Sequence, residues 1–288
     1  MSITKFWSLI LLVTGLCAAM VVAGCGDDEE SSSDSPTSAS TPTTGGTDTA
    51  DLGLIEEGTL IVGSDIPYPP FEQGDPPDYE GFDIDLINAV AENLGLEVQI
   101  EDAPFDLLLQ GGGGQFDLAV AATTITGARE GRVDFSDPYF LSSQGLLVQT
   151  GSDVATVDDL SGKIVGAQDG TTGETYATDE TDASEVRPFP EIDDAYNALQ
   201  VGQVDAVIND LPSVNDAAEQ KEGLEVVQDF PTDEQYGVII PQGSTALTEA
   251  VNGALQEVKD DGTLDELYQE WFKIPVPEEL LTATHVAE

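Results

Sequence analysis

Positive charge is scarce in this chain of 288 residues: 8 lysines and arginines stand against 56 aspartates and glutamates, a formal net charge of -48 at pH 7. A field that negative repels phosphate backbones and anionic headgroups, which argues against nucleic acid and anionic lipid as partners. A solvated acidic surface suited to concentrated salt explains the acidity more simply than a dedicated acidic binding face. At high ionic strength, screening confines any attraction of cations to a few ångströms. Histidine occurs once, as His285, and no group of residues has the spacing of a metal-ligand cluster. The run "GGGG" at 111–114 lacks the Lys-Ser/Thr of a phosphate loop, so it reads as a linker or helix breaker and no cofactor is implied.

Long apolar runs are confined to the N-terminus. "MSITK" is a positive n-region, "FWSLILLVTGLCAAMVV" an apolar h-region and "AGC" a small-residue exit, the pattern of a signal peptide over 1–24. The acidic, polar stretch that follows weakens the alternative of a permanent membrane helix. "VAGC", Val22 to Cys25, looks like a bacterial lipobox, whose cysteine becomes the lipidated first residue. Cysteine usage agrees. Cys17 lies in the removed peptide and Cys25 is then alone, so a mature chain has no internal disulfide. Attachment through two or more acyl chains suffices for stable anchoring.

Residues 25–51 are rich in Ser, Thr, Asp, Gly and Pro without apolar periodicity, and read as a lipidated N-terminus with a flexible tether spanning about 25–30 Å. From Leu52 onward, short apolar runs alternate with amphipathic stretches, the rhythm of an α/β protein. Strands are predicted at "TLIVGSD", "LEVQIE", "FDLAVAA", "GLLVQT", "KIVGAQ", "VDAVIND" and "YGVIIP". Helices are predicted at "FDIDLINAVAENLG", with its glycine stop, and at "EIDDAYNALQVG", "TALTEAVNGALQEVKDDG" and "TLDELYQEWF".

In this order the segments "LIVGSDIPYPPFE", "GFDIDLINAVAENLG", "FDLAVAATTITGARE", "VDFSDPYF", "GAQDGTTGETY", "VDAVIND" and "DGTLDELYQEWF" cover nearly everything from Leu60 to Phe272. Together the chain resembles the extracellular solute-binding proteins of amino-acid ABC transporters, the polar amino-acid group. The resemblance implies a type II periplasmic-binding-protein fold: two α/β lobes joined by two crossover strands, with the ligand in the cleft. Lobe 1 would comprise 52–142 and 238–288, and lobe 2 143–237. It also implies a monomeric, extracytoplasmic, lipid-anchored receptor that is not an enzyme and hands an amino acid to a membrane permease.

A free amino acid is a zwitterion, so its site needs donors for the carboxylate and acceptors for the ammonium. Arg129 in "TTITGARE" suits the first task, because a planar guanidinium bonds both carboxylate oxygens. By resemblance, the backbone N–H groups of Thr124 and Thr172 assist it. Asp210 is the implied ammonium partner, with the Ala122 carbonyl and the Thr124 hydroxyl completing the acceptors. Tyr68 and Phe105 match aromatics that flank the ligand, and Asp65 and Gln168 match positions that contact its side chain. From the residues alone, Arg129 pairing with Asp134 or Asp137 is the more natural reading, and the resemblance reverses that order. Asp210 before "LPSV" also reads as a helix N-cap, and the two threonines as turn residues.

Three departures from the pattern carry expectations. "LLLQGGGGQ" implies a shortened helix after Phe105, since each glycine costs about 1 kcal/mol relative to Ala. Ala121 and Ala122 stand where binders of cationic amino acids have serines, which counts against lysine and arginine. The insertion "ATDETDASEV" should lie on the surface. The sequence does not select among glutamine, arginine, lysine, histidine, cystine and a cyclic osmolyte such as ectoine. Two alternatives accompany this reading: a cyclohexadienyl dehydratase-like enzyme, for which Glu174 would be the general acid, and a binding module feeding a separate sensor.

Overall fold

The computed structural model describes residues 52–286. The signal peptide, the lipidated Cys25 and the tether expected from the sequence lie outside the described residues. The chain enters through strand β1 (Thr59–Ser64), whose last five residues are buried. A small hairpin, β2 (Gln73–Asp75) and β3 (Asp78–Glu80), follows within the proline-rich loop. Helix α1 (Phe82–Leu94) buries Phe82, Leu86, Ile87, Val90 and Leu94 along one face and ends on Gly95, whose φ of 70° suits glycine. β4 (Glu97–Asp102) and the four-residue α2 (Phe105–Leu108) come next. A tight turn of four positive-φ glycines, Gly111–Gly114, then stops the helix as its composition implies.

The predicted strand "FDLAVAA" is regular only over β5 (Leu118–Ala119); the Val120 N–H still bonds the Gly63 carbonyl of β1, and the chain leaves the sheet after it. The short α3 (Gly127–Glu130) and β6 (Val133–Phe135) precede β7 (Phe140–Gln149), which starts five residues before "GLLVQT". β8 (Ile164–Gln168), α4 (Thr172–Asp179), β9 (Glu185–Phe189), α5 (Ile192–Gln200), β10 (Ala206–Asp210) and α6 (Leu211–Gln220) alternate. The insertion "ATDETDASEV" thus forms the end of a helix and the start of a strand; its acids are exposed, but Ala177 is buried. β11 (Leu224–Tyr236), β12 (Ile239–Pro241), α7 (Thr245–Asp260) and α8 (Thr263–Trp271) follow, and a 3-10 turn over Glu278–Thr282 buries Leu280.

Two five-stranded sheets result. The first has the order β4-β1-β5-β12-β6, with β1 parallel to β4 and β5 and with β12 antiparallel to β5 and β6. The second has the order β11-β7-β10-β8-β9, with β8 parallel to β9 and β10 and with β7 antiparallel to β10 and β11. The chain passes between the sheets along β7 and returns along β11, and these long strands pair with each other from Phe140↔Tyr236 to Leu224↔Gln149. A register shift between Phe230 and Glu234, with Asp233 at φ 52°, bends β11 near its end.

The ends of the two crossing strands are rooted in an aromatic cluster. The ring of Phe140 stacks on Tyr236 at 5.4 Å and on Tyr268 at 5.2 Å, and meets Phe71 edge-on at 5.1 Å. Gly81 lets the proline-rich loop fold back onto the start of α1, where the Phe71 carbonyl accepts the Asp83 N–H at 3.0 Å. A Cβ at residue 81 would sit 2.1 Å from that carbonyl oxygen, at a φ of 138°. Gly81→Ala is therefore expected to lose about 1–3 kcal/mol from backbone strain alone, before the clash is relieved. Thermal unfolding checks this, and an unchanged melting temperature would show that the loop does not dock as described.

Candidate functional site

Strand ends of the two sheets face each other across a small cavity with about 20 Å³ of free volume. All nine residues singled out from the sequence line it: Asp65, Tyr68, Phe105, Ala122, Thr124 and Arg129 from the β1–α3 segment, and Gln168, Thr172 and Asp210 from the second sheet and its helices. Glu72, Ala121 and Thr171 complete the wall. Toward solvent the cavity widens into a cleft between Arg132 and Gln110 on one side and Tyr176 and Thr232 on the other.

Arg129 is 9% exposed and sits on α3, whose N-cap Thr126 receives the Arg129 N–H. Its guanidinium donates to the carbonyls of Thr124 at 2.7 Å and Gly170 at 3.2 Å, and lies 5.3 Å from the centre of the Phe105 ring. Among the described residues it has no carboxylate within ion-pair distance. Asp134 and Asp137 instead accept the backbone N–H groups of Gly243 and His285, each at 2.7 Å. The surface bridge suggested by the sequence is not formed. The shortened α2 leaves Phe105 in the cavity wall.

Asp210 holds the N-cap position of α6, but its side chain makes no capping bond. Its carboxylate accepts from the Tyr68 hydroxyl at 2.6 Å and from Gln144 at 2.5 Å. Thr124 donates its hydroxyl to Glu234 at 2.5 Å, and Thr172 donates to the same oxygen at 2.8 Å. Each hydroxyl keeps lone pairs to accept from a ligand. Ala122 adopts a φ of 42°, and its N–H is held by Asp83 at 2.7 Å. A non-glycine residue in that region persists where its surroundings over-determine it, as they do at functional sites. Asp65 and Gln168 bond each other across the cleft at 2.7 Å.

Glu174, which an enzymatic reading would need as an acid, is instead tied into the first turn of α4, whose N-cap is Thr171. Its carboxylate accepts the Gly170 N–H at 2.8 Å while its own N–H donates to Thr171, and it is absent from the cavity wall. Sequence reasoning missed Glu72, Gln144 and Glu234. In a chain this acidic, a glutamate in "TDEQY" is indistinguishable from a surface acid. Only the bend of β11 turns it inward, where it gathers hydroxyls from both sides of the cleft.

Burial dominates the electrostatics. It pushes Asp210 up to about 7, with Glu234 adding to the rise and the bonds from Tyr68 and Gln144 opposing it. Asp65 also rises to about 7 through burial, with Glu191 and Asp102 contributing. Glu72 lies well above the ordinary carboxyl range, again through burial and then through Asp83, Asp65 and Asp210. Burial lowers Arg129 from its usual value, against the fields of Asp210 and Glu234 that favour its charge.

The sequence pattern of the bacterial extracellular solute-binding proteins, family 3, matches residues 60–274. The chain belongs to this family of extracytoplasmic solute receptors. It is 33% identical over 232 residues to the L-cystine-binding protein TcyJ of Escherichia coli K12, covering 77% of this chain and 87% of that one. With the glutamine-binding protein GlnH of an ABC transporter in Bacillus subtilis it shares 35% identity, over 67% of this chain and 73% of the relative. Among solved structures, an ancestral arginine-binding protein bound to glutamine is 37% identical, with a TM-score of 0.73 over 76% of this chain and all of the other. The two-lobed type II architecture is therefore that of the family.

The raised carboxyls give the protein without ligand an unusual pH dependence. Between about pH 4 and 7 the folded state keeps protons on Asp65 and Asp210 that the unfolded chain has released. Stability then falls as pH rises through that window, by up to about 1.4 kcal/mol per unit for each group. Repulsion among surface acids has the same sign, so the comparison is with Asp210→Asn in high salt. Chemical denaturation at about pH 5 and about pH 7.5 should show a shallower decline for the variant; parallel declines would mean that Asp210 does not titrate in this range.

Proposed function

We propose that the cavity binds a polar α-amino acid as its zwitterion, and that the protein presents it to an ABC transporter permease. Arg129 and the N–H groups of Thr124 and Thr172 receive the carboxylate. Asp210, the Ala122 carbonyl and the Thr124 hydroxyl receive the ammonium. Tyr68 and Phe105 flank the stem, and Asp65 and Gln168 face the side chain. One observation carries this reading: a buried guanidinium without an acidic partner and a buried carboxylate line the same small cavity from opposite lobes. Each lacks the counter-charge that a zwitterion brings.

Lobe 1 in this reading is 52–142 with 238–288, and lobe 2 is 143–237. Hinge closure around a ligand is the general behaviour of periplasmic binding proteins. Here the ligand touches both lobes only in the closed form, so binding shifts the population toward it. Cys25 carries the lipid after removal of 1–24, residues 25–51 tether the domain to the membrane, and the receptor acts as a monomer. A micromolar site needs about -8.2 kcal/mol, within reach of two charge clusters and two aromatic walls. The position of Glu174 outside the cavity favours binding over dehydratase chemistry.

Arg129→Ala should leave the protein folded, because among the described residues no acid loses an ion-pair partner. It should weaken amino-acid binding by about 3–5 kcal/mol, two to three and a half decades. Titration calorimetry across the polar amino acids measures this, and wild-type affinity in the variant would defeat the assignment.

A further inference from the structure

Residues 275–286 extend past the 60–274 span of the family pattern, and the chain brings them back along α7 to α3. After α8 the Val276 N–H donates to Asp265 at 2.9 Å, and Leu280 is fully buried in the core. Lys259 of α7, only 5% exposed, donates to the Ala283 carbonyl at 3.3 Å. The strap ends on His285, the only histidine in the chain. Its backbone N–H donates to Asp137 at 2.7 Å, while the Asp137 N–H donates to Asn252 of α7. The imidazole meets Phe135 of β6 edge-on at 6.4 Å, and its Nε2 lies 3.0 Å from Oε1 of Glu130. That oxygen is buried and accepts no aligned hydrogen bond among the described residues, so its match is the charge of a protonated imidazole. The charged neighbours of the strap's end are Glu130 on α3, Asp137 after β6 and, through the field of Asp137, Lys259 on α7.

Resting on the amino-acid reading above, we infer that this strap is a clasp on the helix that carries Arg129: His285 holds Glu130, and through it fixes the turn from which the guanidinium enters the cavity. Glu130 directly follows Arg129 on α3, a helix of four residues that is too short to hold its own shape in water. Within the turn, Thr126 receives the Arg129 N–H; from outside it, Gln242 reaches the Glu130 carbonyl at 3.4 Å. Of the two guanidinium bonds, the one to Thr124 is local, and the one to Gly170 crosses the cleft and is lost when the cleft opens. In the open receptor the contacts at Glu130 then tie α3 to the rest of its lobe. A guanidinium already in place leaves less to be ordered when the ligand arrives, which favours binding. His285 is thus a positioning residue, since neither it nor Glu130 lines the cavity. The strap lies beyond the matched residues, so the clasp is an addition to the shared scaffold.

Titration calorimetry on the full chain in mildly acidic buffer tests this, with whichever of L-glutamine, L-cystine and L-arginine binds the wild type most tightly. His285→Ala and Glu130→Gln should each weaken that binding about three- to fivefold, the range of a partly exposed ion pair. The double variant should be no weaker than either single one, because both break the same contact. His285→Lys, which keeps a cation at that place, should recover part of the loss. Hydrogen exchange at the amides of Glu130 and Arg132 should be faster in His285→Ala, with or without the amino acid. Unchanged affinity with a lowered melting temperature would make the strap a stabiliser only and overturn the clasp, and so would losses that add. If no α-amino acid binds the wild type, the amino-acid reading fails. Exchange at α3 then still decides the clasp, and equal rates in the variant and the wild type would overturn it.

Discussion

A guanidinium is buried in this protein with carbonyls for company. Arg129 bonds Thr124 on its own side of the cleft and Gly170 on the other, with the Phe105 ring beside it. Carbonyl oxygens satisfy some of its donors but carry no full negative charge. Its ionisation is supported at longer range by Asp210 and Glu234. The arrangement keeps the cation in place without neutralising it, so the cavity remains poised for an anion. A buried salt bridge in the same position would have closed that opportunity, because breaking such a pair is costly.

The geometry that maintains this state is distributed across both sheets. Tyr68 reaches Asp210, Asp65 reaches Gln168, and Arg129 reaches Gly170, each bond crossing the cleft. Glu234 lies where the crossing strands meet the cavity and accepts hydroxyls from Thr124 and Thr172, while Gln144 links it to Asp210. The aromatic cluster around Phe140 and Tyr236 anchors the strand ends just beyond it. Opening the cleft exposes these polar groups to water, and closing it around a ligand exchanges water for matched charges. A ligand that binds the closed form better shifts the population toward it.

Acidity has two different meanings in this chain. Among the described residues most of the acids lie at the surface, where hydration and salt screen them. Asp65, Glu72, Asp83 and Asp210 are buried, and desolvation drives their carboxyls upward. Composition treats both populations alike, which is why Glu72 and Glu234 gave no signal among 56 acids. The residues that could be picked out, Arg129 above all, stood out because their type is rare here. β9 and β11 were also illegible. In "EVRPF" a proline and an exposed edge blur the alternation, and β11 carries half-buried residues and a bend in place of a clean apolar run.

The order of elements followed from local physics: α1 from its apolar periodicity and glycine stop, the shortened α2 from four consecutive glycines, and β1, β8 and β10 from runs of buried Val, Ile, Leu and Ala. Family membership followed from the succession of such segments. Which acids are buried, which hydroxyls they receive, and that Arg129 turns away from Asp134 and Asp137 were settled by the tertiary structure alone. Those outcomes depend on contacts between residues far apart in the chain, 142 positions for Tyr68 and Asp210 and 148 for Asp137 and His285, and desolvation is a property of the packed cavity that no local pattern encodes.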